Sequence, residues 1–265
     1  MAAIPKRTMA APFSLTRTVL ASDPLAYKSA TQSSFLTRAA KGRVSKHHLG
    51  QWLSNDRLYI HGYIRGVGRL LSFLQLPETV EEEAEVSEST KLLRWMIDAL
   101  VNIRREEEFF VRTAADYGIS LDLSHKLEGL HRFEALFDST RPGGGDKDKA
   151  VIPWLEAAIV FWATEKCYLD AWSGASARLS APSEADGDED GGALRREFIP
   201  NWSSVEFARF VDELGEIIDS AVQREIKLRQ NEGEEEAIKG ELLDRALVKW
   251  REVLAAEEAF WPAME

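Results

Sequence analysis

The chain has 265 residues, 45% of them hydrophobic, with 33 Lys and Arg against 44 Asp and Glu, a formal charge of −11. That acidic balance speaks against an electrostatic grip on nucleic acid or anionic lipid, which need clustered Lys and Arg, and makes small molecules or proteins the expected partners. The one cysteine, Cys167, excludes an internal disulfide and a cysteine-based zinc site and fits a reducing, cytoplasmic compartment.

Residues 1–23 carry three basic residues and no acid before Asp23, which weakly resembles an organelle transit segment. Their proline-broken pattern favours a flexible arm. Beyond it, apolar residues recur at spacings of three and four and strand patterns are nearly absent, so the fold class is all-α. Helices are expected at about 24–41, 45–75, 88–117, 123–140, 148–173, 203–230 and 235–262. A Ser-, Gly- and acid-rich stretch at about 174–197 reads as a mobile loop inside one domain that runs from 24 to 265. Helices of 25 residues reach about 37 Å, and the natural assembly is an up-and-down bundle with an interior pocket. No apolar run approaches the roughly 20 residues of a membrane span.

Three helices set polar groups on an apolar stripe. On the second, Trp52, Asp56, Tyr59 and Tyr63 share one face. On the fifth, Trp154, Ala158, Phe161, Tyr168 and Trp172 are joined by Thr164 or Glu165. On the last, Trp250, Leu254, Glu257 and Trp261 line up, with Glu258 turned towards the stripe's edge. Aromatic walls with a few polar groups suit a flat heterocycle better than a sugar or a metal. A tyrosine on such a stripe more often packs as core, but a carboxylate among aromatics is costly unless neutralised, paired or used.

Other groups carry less. Glu128 and His131 form a Glu-x-x-His pair without the second copy that a bundle di-iron site needs, and no metal or other cofactor is expected. His47, His48 and His61 read as solvated or capping, and Cys167 as buried filling within reach of the pocket edge.

"SNDRLYIHGY", with Asp56 and Tyr59, "AAEEAFWPAM", with Glu257, Phe260 and Trp261, and "FIPNWSSVEF" occur in an order and spacing that resemble the TenA/thiaminase II family, whose fold is the haem oxygenase-like bundle. The resemblance covers about residues 24–265 outside the Gly-rich and acidic loops. It implies hydrolysis of the exocyclic amine of an aminomethyl-aminopyrimidine in thiamin salvage, and a possible homo-oligomer. By the same resemblance Asp56 would bond the aminopyrimidine, Tyr59 and Tyr168 would line the pocket, and Glu257 would act as general acid and base. This chain departs from the pattern. Thr164 stands where the family has its nucleophilic cysteine, Phe133 where it has a pocket tyrosine, and Trp202 precedes the sixth helix. Glu165 and Cys167 are the candidates for the missing catalytic group. The alternatives are a relative that binds a heteroaromatic ligand with no or different catalysis, and a helical scaffold for protein interaction.

Overall fold

The computed structural model describes residues 12–79, 86–140, 151–179, 187–230 and 233–264. Among the described residues there are ten α-helices and no strand: α1 (Leu15–Leu20), α2 (Pro24–Thr31), α3 (Ser34–Ala40), α4 (Lys46–Phe73), α5 (Glu88–Asp116), α6 (Glu128–Asp138), α7 (Leu155–Ser176), α8 (Ile199–Trp202), α9 (Val205–Gln230) and α10 (Glu235–Phe260). Four starts share one device. Ser14, Ser33, Ser45 and Ser87 each accept a backbone N–H from the first turn of α1, α3, α4 and α5. That chemistry explains why the single helix expected over 24–41 is two: Gln32 leaves helical geometry and Ser33 restarts the chain by accepting from Leu36 N–H.

The stretch expected as a flexible arm is described from residue 12. Leu15 and Val19, spaced i, i+4, are fully buried, and α1 packs on α9 and α10. Asp219 of α9 fixes it, accepting from Ser14 Oγ at 2.6 Å, Thr16 N at 3.0 Å and Thr16 Oγ1 at 2.8 Å. Residues 1–11 lie outside the described residues.

Of the stretch expected as a loop at about 174–197, residues 180–186 lie outside the described residues. Helix α7 continues to Ser176, and the chain from 187 packs tightly. Asp190 is buried and accepts from Gly192 N–H at 2.9 Å and Leu194 N–H at 2.7 Å. Arg195 pairs with Asp188 at 3.3 Å, and Glu189 N–H donates to Gly42 O at 3.0 Å. Gly42 has φ +66°, and a Cβ there would stand 2.0 Å from Asp188 Oδ1, so this junction requires glycine. A turn of π-helix, Leu194–Phe198, then leads into α8.

Close helix crossings set the bundle's shape. Gly62 and Gly66 of α4 admit the Phe137 ring of α6, which a Cβ at either position would meet at 3.1 Å. Gly129 of α6 lies against the α10 backbone at Phe260 and Ala256. Trp52 of α4 stacks on Trp261 at 5.8 Å between centroids, and Trp261 Nε1 donates to Ala30 O at 2.7 Å. These contacts hold α4, α6 and the end of α10 around one aromatic interior. Among the described residues no helix is long and apolar enough to cross a membrane.

Candidate functional site

A cavity of about 300 Å³ opens between α4, α5, α7, α8 and the start of α9. Asp56 and Tyr59 face it from α4, Glu165 and Tyr168 from α7, Trp202 from α8, and Phe207 and Phe210 from α9. The α5 wall is Ala99, Ile103, Glu106 and Phe110, an i, i+4, i+7, i+11 stripe. Asn102, Arg105, Asn201 and Glu206 are exposed side chains that also line it.

Asp56 is 3% exposed and receives a long hydrogen bond from Tyr168 Oη at 3.4 Å. Its neighbour Asn55 has a structural part: Asn55 Oδ1 accepts from Leu127 N–H at 2.8 Å and Nδ2 donates to His125 O at 3.2 Å, seating the entry to α6. Burial drives the Asp56 carboxyl well above the usual carboxylate range; Glu106 and Glu165 add to this, and the Tyr168 hydroxyl opposes it. Glu165 is half-buried and pushed up to about 7 by burial, with Tyr63 opposing and Glu106 adding. Glu257 is 2% exposed while Glu258 is exposed. Burial, then Asp56, then Glu165 raise the Glu257 carboxyl well above its ordinary value.

Four carboxyls from four helices therefore act on one another here. Glu106 is the one that the sequence did not bring forward. Its carboxylate accepts from Trp202 Nε1, and from Asn201 Nδ2 at 3.1 and 3.3 Å. Burial raises it and these donors oppose the rise. The signal that could have found it is the α5 stripe, whose spacing matches that of Trp52, Asp56, Tyr59 and Tyr63.

The remaining candidates divide. Phe133 is buried behind the lining, edge-on to Tyr59 at 4.9 Å and to Phe260 at 5.6 Å. Tyr63 also lies behind it; among the described residues its buried hydroxyl has no partner at hydrogen-bonding distance, yet it is near enough to Glu165 to favour that carboxylate's ionised form. Thr164 is buried, and its Oγ1 donates to Val160 O at 2.5 Å, so the hydroxyl is tied into its own helix. Cys167 is fully buried outside the lining, on the side of α7 where Asp170 accepts from Tyr27 Oη and from Lys166 Nζ. Burial, reinforced by Glu257 and Asp170, pushes the Cys167 thiol well up, so it is not a ready thiolate. Among the described residues no group of three or more His, Cys, Asp or Glu is placed to hold a metal ion.

In fold the chain is similar to a TenA homologue from Pyrococcus furiosus, which matches 93% of this chain and 98% of its own at a TM-score of 0.65 and 21% identity. The fold is the TenA fold. A TenA family transcription regulator from Silicibacter sp. TM1040 matches 94% of this chain and 95% of its own, again at a TM-score of 0.65, with 12% identity. In sequence, a probable transcription factor of Fusarium pseudograminearum is 27% identical over 217 residues, 72% of this chain. The chain spans 42% of the length of that curated relative. No protein-family model matches the chain. What departs from the expected TenA pattern is chemical: a tethered hydroxyl at Thr164 and a thiol turned away at Cys167.

Proposed function

We propose that this TenA-like cavity takes a flat, amine-bearing heteroaromatic ring of the aminopyrimidine class and hydrolyses its exocyclic aminomethyl group by general acid–base catalysis, without a covalent intermediate. The observation that carries the reading is the convergence of Asp56, Glu106 and Glu165 on one aromatic-lined cavity, with the buried Glu257 behind them and coupled to Asp56 and Glu165. Tyr59, Tyr168, Trp202 and Phe207 supply faces for a planar ring, and Asp56 can accept from a ring amino group and pair with a protonated ring nitrogen.

In the proposed reaction a water oxygen bonds to the methylene carbon as its C–N bond breaks. A carboxylic acid gives its proton to the departing amine and a carboxylate takes one from water, so the products are an alcohol and ammonia. Glu165, on the wall and titrating at about 7, suits the give-and-take of a proton at neutral pH, and Glu257 behind it is the second candidate. Neither Thr164 nor Cys167 is assigned a role as nucleophile.

Ammonia release from an aminomethyl-aminopyrimidine tests the reading. Glu165→Gln or Glu257→Gln is expected to slow it at least about 100-fold, the scale of general acid–base contributions. The tethered Thr164 hydroxyl favours a second reading, a TenA-fold binding protein without turnover. That reading is distinguished by a ligand-dependent rise in melting temperature with no ammonia released. Assembly into homo-oligomers belongs to both readings and is measured by sedimentation.

A further inference from the structure

We propose that Glu106 is a specificity residue: it makes the cavity select ligands that carry a positive charge beyond the amino group read by Asp56, and reject neutral ligands of the same shape. The inference rests on the aminopyrimidine reading of the site and adds to it the α5 wall.

Glu106 has an evident structural partner, since both its oxygens accept from α8, through Trp202 Nε1 and Asn201 Nδ2. A neutral amide keeps one oxygen that both donors already reach, since Trp202 Nε1 and Asn201 Nδ2 each donate to Oε1. A carboxylate instead adds charge to a wall that already holds Asp56 and Glu165. The groups around it make the imbalance plain. Asp56 faces the same cavity from α4, Glu165 and Tyr168 from α7, and Glu206 from α9. Arg105 on its own helix is the one cationic side chain among the described lining residues, and it is exposed. Carboxylates gathered in a low-dielectric space repel one another, and a bound cation relieves that repulsion as bulk water cannot. No three of these carboxyls are placed on one metal ion, so the charge that fits is spread on an organic cation.

The test uses two probes, the 5-(2-aminoethyl) and 5-(2-hydroxyethyl) aminopyrimidines, one cationic and one neutral, both with a second methylene that keeps the terminal group off the ring-adjacent carbon. Calorimetric titration of the full chain is expected to show the amine binding at least about tenfold more tightly, the scale of a charge-assisted hydrogen bond. Glu106→Gln, which keeps an acceptor for Trp202, should erase most of that preference by weakening the amine alone, with an unchanged melting temperature in the unliganded protein. Trp202→Phe removes the same hydrogen bond and leaves the charge, so it should weaken both probes together and keep their ratio. A parent without preference, a ratio untouched by Glu106→Gln, or a ratio lost equally in Trp202→Phe overturns the inference while the aminopyrimidine site stands. Binding of neither probe by the parent overturns both.

Discussion

Tyr168 Oη donates to Asp56 Oδ2 across 3.4 Å, joining α7 to α4 at the wall of the cavity. The tyrosine is the one hydroxyl seen to oppose the rise of the Asp56 carboxyl, against burial and two neighbouring acids. Asp56→Asn should therefore leave the empty protein at least as stable as the parent, since it removes an acid whose ionisation burial disfavours. The same change should weaken an aminopyrimidine by about 2–4 kcal/mol, because an amide matches the ring's donor pattern only in part. Calorimetry on the pair, with a melting curve for each, checks both halves.

Glu165 predicts the direction of a pH effect. Its carboxyl rises from 4.5 in the unfolded chain to about 7 in the fold, so between these values the native state holds more proton than the unfolded one. Its contribution to stability is fully present below about 4.5, is lost as pH rises through about 7, and is flat beyond. Asp56 and Glu257 are raised in the same sense. Glu107 is held down by His61, Arg57 and Arg104 and acts oppositely at the acid end. Urea denaturation of the parent and of Glu165→Gln from pH 5 to 8 should show a shallower decline in the variant; parallel curves would mean that Glu165 titrates normally.

Cys167→Ser should leave ligand affinity and any turnover within about severalfold of the parent, since a buried thiol off the cavity acts as packing. A thousandfold loss, with alkylation of Cys167 blocked by ligand, would show that the thiol reaches the reacting atoms.

Gly129→Ala should destabilise the fold by about 1–3 kcal/mol or more, the scale of overpacking a tight contact. Its Cβ would stand 2.3 Å from Phe260 N and 2.6 Å from Ala256 O, so α6 and α10 would have to part. Because Glu257 lies between those two residues, the loss of stability should come with a loss of ligand affinity.

Much of the bundle was legible because helices with long apolar stripes show their period directly. The expected 45–75 and 203–230 became Lys46–Phe73 and Val205–Gln230. What escaped was decided by contacts between distant segments. The burial of α1 depends on Asp219, a residue with no local tie to Leu15 and Val19. The order from Asp188 to Phe198 depends on Gly42. In the site, Glu106 was hidden in "RREEEFF", where three successive acids point about 100° apart and only its α5 neighbours Ala99, Ile103 and Phe110 reveal which one faces the cavity. Thr164 could be placed from sequence, but its bond to Val160 could not.

The meeting of Asp56, Glu106, Glu165 and Glu257 also bears on the order in which the chain acquires its shape. These residues are far apart in sequence, and α10, which carries Glu257, leaves the ribosome after α1, α2, α6, α7 and α9, all of which it packs against. Until it docks, the other three acids face an unfinished interior where water can hold them ionised; closing α10 expels that water and makes protonation the cheaper state. Docking of α10 should therefore draw protons from solution, and it should be faster in mild acid, so this folding step is itself a titration.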